Sequence, residues 1–118
     1  MSRTVRPIPV LPWGWRSMWV IAMFDLPTDT PKARKAYTVF RKNLMQDGFT
    51  MMQYSIYTRH CASIENADTH MTRMGALVPA AGEVRFLSIT DRQFGRIRIF
   101  TGKKRTNPAN PPAQLELF

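Results

Sequence analysis

The chain has 118 residues, of which 44% are hydrophobic, and its formal net charge is +9. This length gives one domain with a modest core, and the composition excludes an intrinsically disordered chain. The positive charge favours a polyanionic partner, usually nucleic acid, over a soluble protein that happens to be basic.

Residues 1–17 are Pro-rich, and we expect them to form an extended arm rather than part of the domain. Pro7, Pro9 and Pro12 interrupt any apolar segment, which argues against a signal peptide. Met18 is an alternative start of the chain. We expect no membrane partner, because no apolar run reaches the roughly 20 residues that span a bilayer. The single cysteine, Cys61, excludes an internal disulfide and suits a reducing cytoplasm.

The first predicted strand covers Trp19 to Phe24, a continuous apolar run typical of a strand buried on both faces. Pro27 cannot continue a central strand, so the strand must end near Asp25. This places one carboxylate at the carboxyl end of a central strand, where α/β-type sheets commonly present functional groups. Asp25 therefore has two interpretations, as a metal ligand or as a cap of the turn before the next helix.

A basic helix is predicted to follow, with Thr30 as N-cap and Gly48 as its end. Its apolar stripe consists of Ala33, Ala36, Tyr37, Phe40 and Leu44. The rest of its circumference carries Lys32, Arg34, Lys35, Arg41 and Lys42. These cations indicate either an ordinary solvated face or a face that follows nucleic-acid phosphates. The helix is followed by a single acid, Asp47, which favours the second interpretation.

The remaining elements complete the predicted fold. Residues 49–62 are rich in β-forming residues and hold one bent strand or two short ones, since no Gly or Pro marks a hairpin. Ser63 starts a second helix that ends at Pro79. Strands follow over residues 83–90 and 96–101, with a turn between them. The order β-α-β(β)-α-β, with an additional C-terminal strand, predicts a ferredoxin-like α+β sandwich over residues 18–102.

Few residues of the sequence are candidates for catalysis or metal binding. Gly-rich phosphate loops and zinc-binding motifs are absent from the sequence. His60 and Cys61 are neighbours on a predicted strand and point to opposite faces, while His70 is expected at the surface of a helix. Asp25 alone cannot hold a divalent cation, because hard cations need several oxygen ligands. A symmetric dimer would supply a second copy.

At this point the residues carry a resemblance to a known family. Residues 23–59 resemble the small ferredoxin-like CRISPR-associated subunit of the spacer-acquisition complex, most closely its type II subgroup. The matching features are FDLP with Asp25, the spaced basic helix with Tyr37, Phe40 and Arg41, Gly48, and QYSIY at 53–57. Residues 82–95 are similar to the family's last core strand and the turn after it. The resemblance covers about residues 18–101.

The resemblance implies a homodimer that bridges two dimers of the CRISPR integrase and holds a short DNA duplex, the prespacer. The integrase performs strand transfer, and this subunit is a scaffold that binds the duplex backbone. Some members show metal-dependent nuclease activity with the aspartate that matches Asp25, usually with Mg²⁺ or Mn²⁺. Two alternatives remain, a stand-alone endoribonuclease or endodeoxyribonuclease and a plain nucleic-acid-binding module without an integrase partner.

We expect the basic residues to contact phosphates rather than bases, since nothing resembles a base-reading motif and a scaffold must accept any sequence. The primary candidates are Arg34, Lys35, Arg41 and Lys42, and the secondary candidates are Arg16, Arg96 and Arg98.

The C-terminal tail, residues 103–118, is predicted to be a docking peptide. Pro108, Pro111 and Pro112 predict a stiff spacer, which is followed by QLELF. The favoured interpretation is strand addition to the integrase, with Leu115 and Leu117 on one face. In the alternative, Gln114, Leu115, Leu117 and Phe118 match the pentapeptide by which bacterial proteins bind the DNA sliding clamp. A tail without a partner is the third option.

Overall fold

The computed structural model describes residues 17–102, which form an α+β fold. Its elements in chain order are β1 (Met18–Asp25), α1 (Pro31–Gln46), β2 (Thr50–Gln53), β3 (Ile56–Cys61), α2 (Ile64–Gly75), β4 (Glu83–Thr90) and α3 (Asp91–Phe94).

The four strands form one antiparallel sheet in the order β2-β3-β1-β4. β1 is central, and Ile21 in its middle lies opposite Thr58 on one side and Leu87 on the other. This order, with a helix in each of the two crossovers, confirms the predicted ferredoxin-like arrangement. Asp25 is the last residue of the central strand, as predicted.

The core lies between one face of the sheet and the two long helices. Side chains alternate along β1, so Val20, Ala22 and Phe24 point to the same face. They pack with Phe40 and Leu44 of α1, the stripe predicted from helical spacing. Other buried members of the cluster are Met18, Leu26, Phe49, Tyr57, Cys61, Ala67 and Met74.

The helix ends follow the sequence signals. The Thr30 side chain accepts a hydrogen bond from the backbone N–H of Ala33, and the Ser63 side chain accepts one from Asn66. Each cap satisfies one of the backbone donors that a helix leaves unpaired at its N-terminus. Gly48 follows α1 with φ of 99°, a left-handed conformation that glycine adopts without a steric penalty. α2 ends at Gly75, four residues before Pro79, where the helix was expected to end.

Residues 49–62 contain two strands joined by a tight turn at Tyr54 and Ser55, which resolves the alternatives left open by the sequence. Ser55 takes φ of 63°, a conformation usually reserved for glycine. Its backbone carbonyl accepts a hydrogen bond of 3.1 Å from the N–H of Phe24 in β1. This bond to the central strand holds a turn that lacks both Gly and Pro.

The additional C-terminal strand does not form within the described chain. Residues 91–94, predicted as a turn, are the short helix α3, and residues 97–102 belong to no strand. Ile99 and Phe100 are 85% and 81% exposed. The alternating pattern of residues 96–101 is therefore present, but these residues pair with neither edge strand of the described sheet, β2 or β4.

His70 is buried rather than at the surface, which corrects the sequence-based expectation. It is 6% exposed, and its Nδ1 lies 2.6 Å from Asp47 Oδ2. The other carboxylate oxygen of Asp47 accepts a hydrogen bond from Arg73. The acid that follows α1 thus joins α1 to α2, and it does not neutralise the cations of α1.

Several predictions concern residues outside the described range. These are the Pro-rich arm with Arg16, and the tail with Gln114, Leu115, Leu117 and Phe118. Within residues 17–102, no helix is long and apolar enough to cross a membrane.

Candidate functional site

Asp25 is exposed at the end of β1, in register with Glu83 at the start of β4. Thr30 caps α1, and the Asp25 carboxylate makes no hydrogen bond with another residue in 17–102. The turn-capping interpretation therefore has no support in the described part of the chain. Glu83 was not singled out from the sequence, because only the pairing of β1 with β4 brings it beside Asp25.

The two carboxylates are chemically suited to a hard divalent cation, which prefers oxygen ligands. Glu83 Oε2 is also paired with Arg85 Nη2 at 2.8 Å. No group of three or more His, Cys, Asp or Glu within residues 17–102 could hold a metal ion. One described chain thus supplies part of a metal site at most, and the role of Asp25 as a metal ligand stays a prediction.

The backbone around Asp25 is held by close packing against Gly82. Gly82 has φ of 92°, and a Cβ at this position would lie 2.8 Å from the Asp25 carbonyl oxygen and 2.7 Å from Leu26 Cδ2. Leu26 is itself buried in the core. The glycine is therefore required both by its backbone conformation and by the space it leaves beside the end of β1.

The basic face of α1 is solvent-accessible along its length. Arg34, Lys35 and Lys42 are exposed, and Arg41 is half-buried. α1 contains no acidic residue, and none of its cations forms an ion pair with an acid in residues 17–102. Arg34 Nη1 donates a hydrogen bond of 3.1 Å to the Thr28 carbonyl, which fixes the side chain near the helix N-terminus.

Arg34 and Arg41 are seven residues apart and lie nearly in line along the helix axis. The structure thus brings together two primary candidates, flanked by Lys35 and Lys42. Arg96 and Arg98 are exposed but lie after α3 and outside any helix or strand. The guanidinium carbon of Arg98 lies 5.3 Å from the centre of the Phe100 ring.

Cys61 offers no reactive thiol. It is buried in the core, and burial raises the pKa of its thiol above the ordinary value, with the neighbouring Arg59 as a smaller opposing influence. A raised pKa leaves less thiolate at neutral pH, so nucleophilic chemistry is not favoured at this residue.

Comparison with known proteins identifies the family. The family model described as CRISPR associated protein Cas2 matches residues 18–97. The chain belongs to the Cas2 family. This family is part of CRISPR adaptation, and the suspected resemblance is thereby confirmed, although the type II subgroup stays a prediction.

Relatives in three bacteria have similar lengths. The chain is 73% identical over 101 residues to a protein of Parvibaculum lavamentivorans, covering 86% of this chain and 100% of the relative. It is 49% identical over 104 residues to one of Flavobacterium psychrophilum, covering 88% and 90%. It is 43% identical over 112 residues to one of Rhodospirillum rubrum, covering 92% and 100%. The names of all three relatives contain "CRISPR-associated endoribonuclease Cas2".

We predict that Gly82→Ala destabilises the fold and disturbs the end of β1. The left-handed backbone alone costs an alanine about 1–2 kcal/mol, and the overlap with Asp25 and Leu26 adds to it. Urea denaturation at a fixed protein concentration measures the loss. Gly75→Ala is the matched control, because a Cβ there meets nothing within 4 Å. A Gly82→Ala protein as stable as this control would contradict the conclusion that position 82 requires glycine.

Proposed function

We propose that this Cas2-family protein is a homodimeric scaffold of CRISPR adaptation that bridges integrase dimers and binds the backbone of prespacer DNA. The observation that carries the proposal is the basic face of α1, whose cations have no acidic partner among residues 17–102. Cations left unpaired on one face are available to a polyanion, and the net charge of +9 has the same sign.

Phosphate contact suits this face better than base contact. Base reading requires an element that enters a groove with side chains aimed at base edges. α1 packs its apolar side against the sheet, and its cations are spread along the outer circumference. Arginine and lysine spaced in this way match the repeated charge of a duplex backbone, which carries no sequence information.

We predict that Arg34→Gln and Arg41→Gln each weaken duplex binding to a similar degree for all DNA sequences. Each variant should also make the salt dependence less steep, by about 0.9 in the slope of log affinity against log salt for each lost phosphate contact. Fluorescence anisotropy at several salt concentrations measures both quantities. Lys32→Gln is the control with the same charge change, since position 32 lies roughly 200° around the helix from position 34.

A change of sequence preference in either variant would contradict phosphate contact. An unchanged salt slope would contradict it equally, because the neutralised side chain would then have displaced no counterions.

The open face of the sheet supports a homodimer. α1 and α2 cover one face; on the other, Ile21 and Thr58 are buried, Trp19 and Met23 are partly exposed and Leu87 is 48% exposed. Trp19 is covered in part by α3, where it stacks on Phe94 at 4.0 Å and donates a hydrogen bond of 2.7 Å to Asp91. A second copy would bury the rest of this face and would provide a sheet for the exposed residues 97–100.

A metal-dependent nuclease is the second candidate function, favoured by the endoribonuclease names of the relatives. Asp25 from both copies, with Glu83 beside each, would provide the oxygen ligands for Mg²⁺ or Mn²⁺. A bound metal would activate water and polarise the scissile phosphate. The basic face of α1 would position the nucleic acid, whether RNA or DNA, in either candidate function.

We predict that Asp25→Asn leaves integration by the assembled complex unchanged. The substitution keeps the shape of the side chain and removes only the charge that a metal requires, while a scaffold acts through its surfaces. An integration assay with the purified integrase compares the variant with the wild type. Loss of integration with retained complex formation would contradict the scaffold role and favour the nuclease. Isothermal calorimetry with Mn²⁺ tests metal binding separately.

The tail lies outside the described residues, and its role is proposed from sequence alone. We favour docking on the integrase by strand addition, through Leu115 and Leu117. The sliding clamp is the alternative partner, with Gln114, Leu115, Leu117 and Phe118 at the positions of the clamp-binding pentapeptide.

Deletion of residues 114–118 separates the two partners. We predict that the deletion removes co-purification with the integrase and leaves DNA binding by the isolated protein unchanged, because the basic face of α1 is retained. Loss of binding to purified clamp with retained integrase would instead identify the clamp as the partner. Retention of both would contradict any docking role of these residues.

A further inference from the structure

Tyr54 is a large aromatic residue that is exposed beside the basic helix α1. It lies in the turn between β2 and β3 and is 78% exposed. Its ring stacks on that of Tyr37 from α1, with the ring centres 6.1 Å apart and the planes 24° from parallel. One face of the Tyr54 ring is thus turned towards Tyr37, and the other face is open to solvent.

The turn is held in place by contacts on either side of Tyr54. Ser55 adopts φ of 63°. This left-handed conformation is unfavourable in free energy for any residue that has a side chain. The Ser55 Oγ lies 2.9 Å from the Tyr37 hydroxyl, and its carbonyl accepts a hydrogen bond from Phe24. Tyr37 in turn packs against Phe24, with ring centres 5.6 Å apart. The hydrogen bonds of Ser55 and the packing of Tyr37 on Phe24 therefore hold the turn, and with it the exposed Tyr54 ring, in position.

A cation adjoins the aromatic pair. Arg41 lines a pocket of about 200 Å³ together with Tyr37, Met51 and Tyr54. This volume is below the roughly 300–1,000 Å³ typical of pockets for whole small-molecule ligands. Tyr37 and Arg41 are four residues apart on α1, so the basic line through Arg34 and Arg41 runs directly past the stacked rings.

Tyr54 keeps a neutral ring beside the expected phosphates. Hydrogen bonding with the Tyr37 phenol, and then its charge, raises the pKa of Tyr54 above the ordinary value of 10.0, with Arg41 as a smaller opposing influence. A phenol of ordinary pKa is already protonated at neutral pH, and the upward shift acts in the same direction. The ring therefore presents an uncharged π-face next to a guanidinium group.

We propose that Tyr54 is a stacking platform for one unpaired base of a single-stranded nucleic acid, with Arg41 contacting the adjoining phosphate. An exposed aromatic ring beside a cationic track is the arrangement that holds single strands, because every base has a π-face to stack. A base within a duplex cannot reach the ring, since its faces are already stacked. The inference rests on nucleic-acid binding by the basic face of α1, as proposed above, and adds a site for unpaired nucleotides.

The test compares single-stranded and duplex DNA on the full-length protein. The single-stranded probe carries one fluorescent adenine analogue whose emission falls when it stacks, and the duplex probe is blunt and of the same sequence. We expect Tyr54→Ala to weaken single-strand binding by about 5- to 150-fold, the range for loss of one base–aromatic stack. The analogue's quenching should disappear, and duplex affinity should be unchanged.

Two further variants make the result specific. Tyr54→Phe keeps the ring and should retain both affinity and quenching, whereas Arg41→Gln should weaken both probes. Leu77→Ala is the control for loss of an exposed apolar side chain elsewhere, since Leu77 lies two residues after the end of α2 and is 46% exposed. Thermal melting of each variant confirms that the fold is retained.

Several outcomes would overturn the inference. These are equal losses on both probes with Tyr54→Ala, quenching that persists in this variant, or a Tyr54→Phe protein as weak as Tyr54→Ala. Wild-type protein that binds duplex but not single strands would also overturn it, while leaving the proposed scaffold function intact. Wild-type protein that binds neither probe would instead reject the proposed nucleic-acid binding itself.

Discussion

Both long helices pack on the same face of a four-stranded sheet, and the arrangement of the whole molecule depends on this one-sided burial. Val20, Ala22 and Phe24 of the central strand contact a core supplied by the helices. Among the helices of residues 17–102, α3 is the one on the opposite face, where it shields Trp19. A sheet buried on one face in a single chain leaves its other face and its edges available for assembly.

The same packing separates the two surfaces that a scaffold needs. α1 uses its apolar stripe for the core, so its cations are directed outward and away from the sheet. The acid that follows α1 is engaged elsewhere, since Asp47 joins His70 and Arg73 of α2. Asp47 therefore forms no ion pair with the cations of α1, which stay without an acidic partner among residues 17–102. In the proposed scaffold function, the open sheet face would meet a protein partner and the basic helix would meet a nucleic acid at the same time.

The sequence predicted the features that depend on local pattern. The central strand ending in Asp25 and the caps at Thr30 and Ser63 are confirmed, because each is encoded within a short window of residues. The fold class, which was inferred from the order of the elements, is confirmed as well. The features that were missed depend on contacts distant in sequence. The turn at Ser55 forms without Gly or Pro, and β1 holds its carbonyl, while buried His70 pairs with Asp47.

The candidate site was predictable only in part for the same reason. The basic residues of α1 follow from helical spacing, and the structure keeps them accessible. Glu83 lies beside Asp25 through strand register, and Tyr54 lies beside Arg41 through the hairpin turn, neither of which the sequence specifies. The strand expected over residues 96–101 has the right alternation, but alternation alone does not specify a pairing partner, and these residues pair with neither edge strand of the described sheet.

The solution mass of the full-length protein tests most directly whether a second copy completes the open face. Light scattering at micromolar concentration should give twice the chain mass of 13.6 kDa. Burial of Ile99 and Phe100 is worth about 1.5–3 kcal/mol each, so replacing both with Asp should shift the mass towards that of the monomer. Leu77→Asp, which changes an apolar residue that is 46% exposed just after α2, should remain dimeric. A monomeric wild type, or a double variant that stays fully dimeric, would contradict the account.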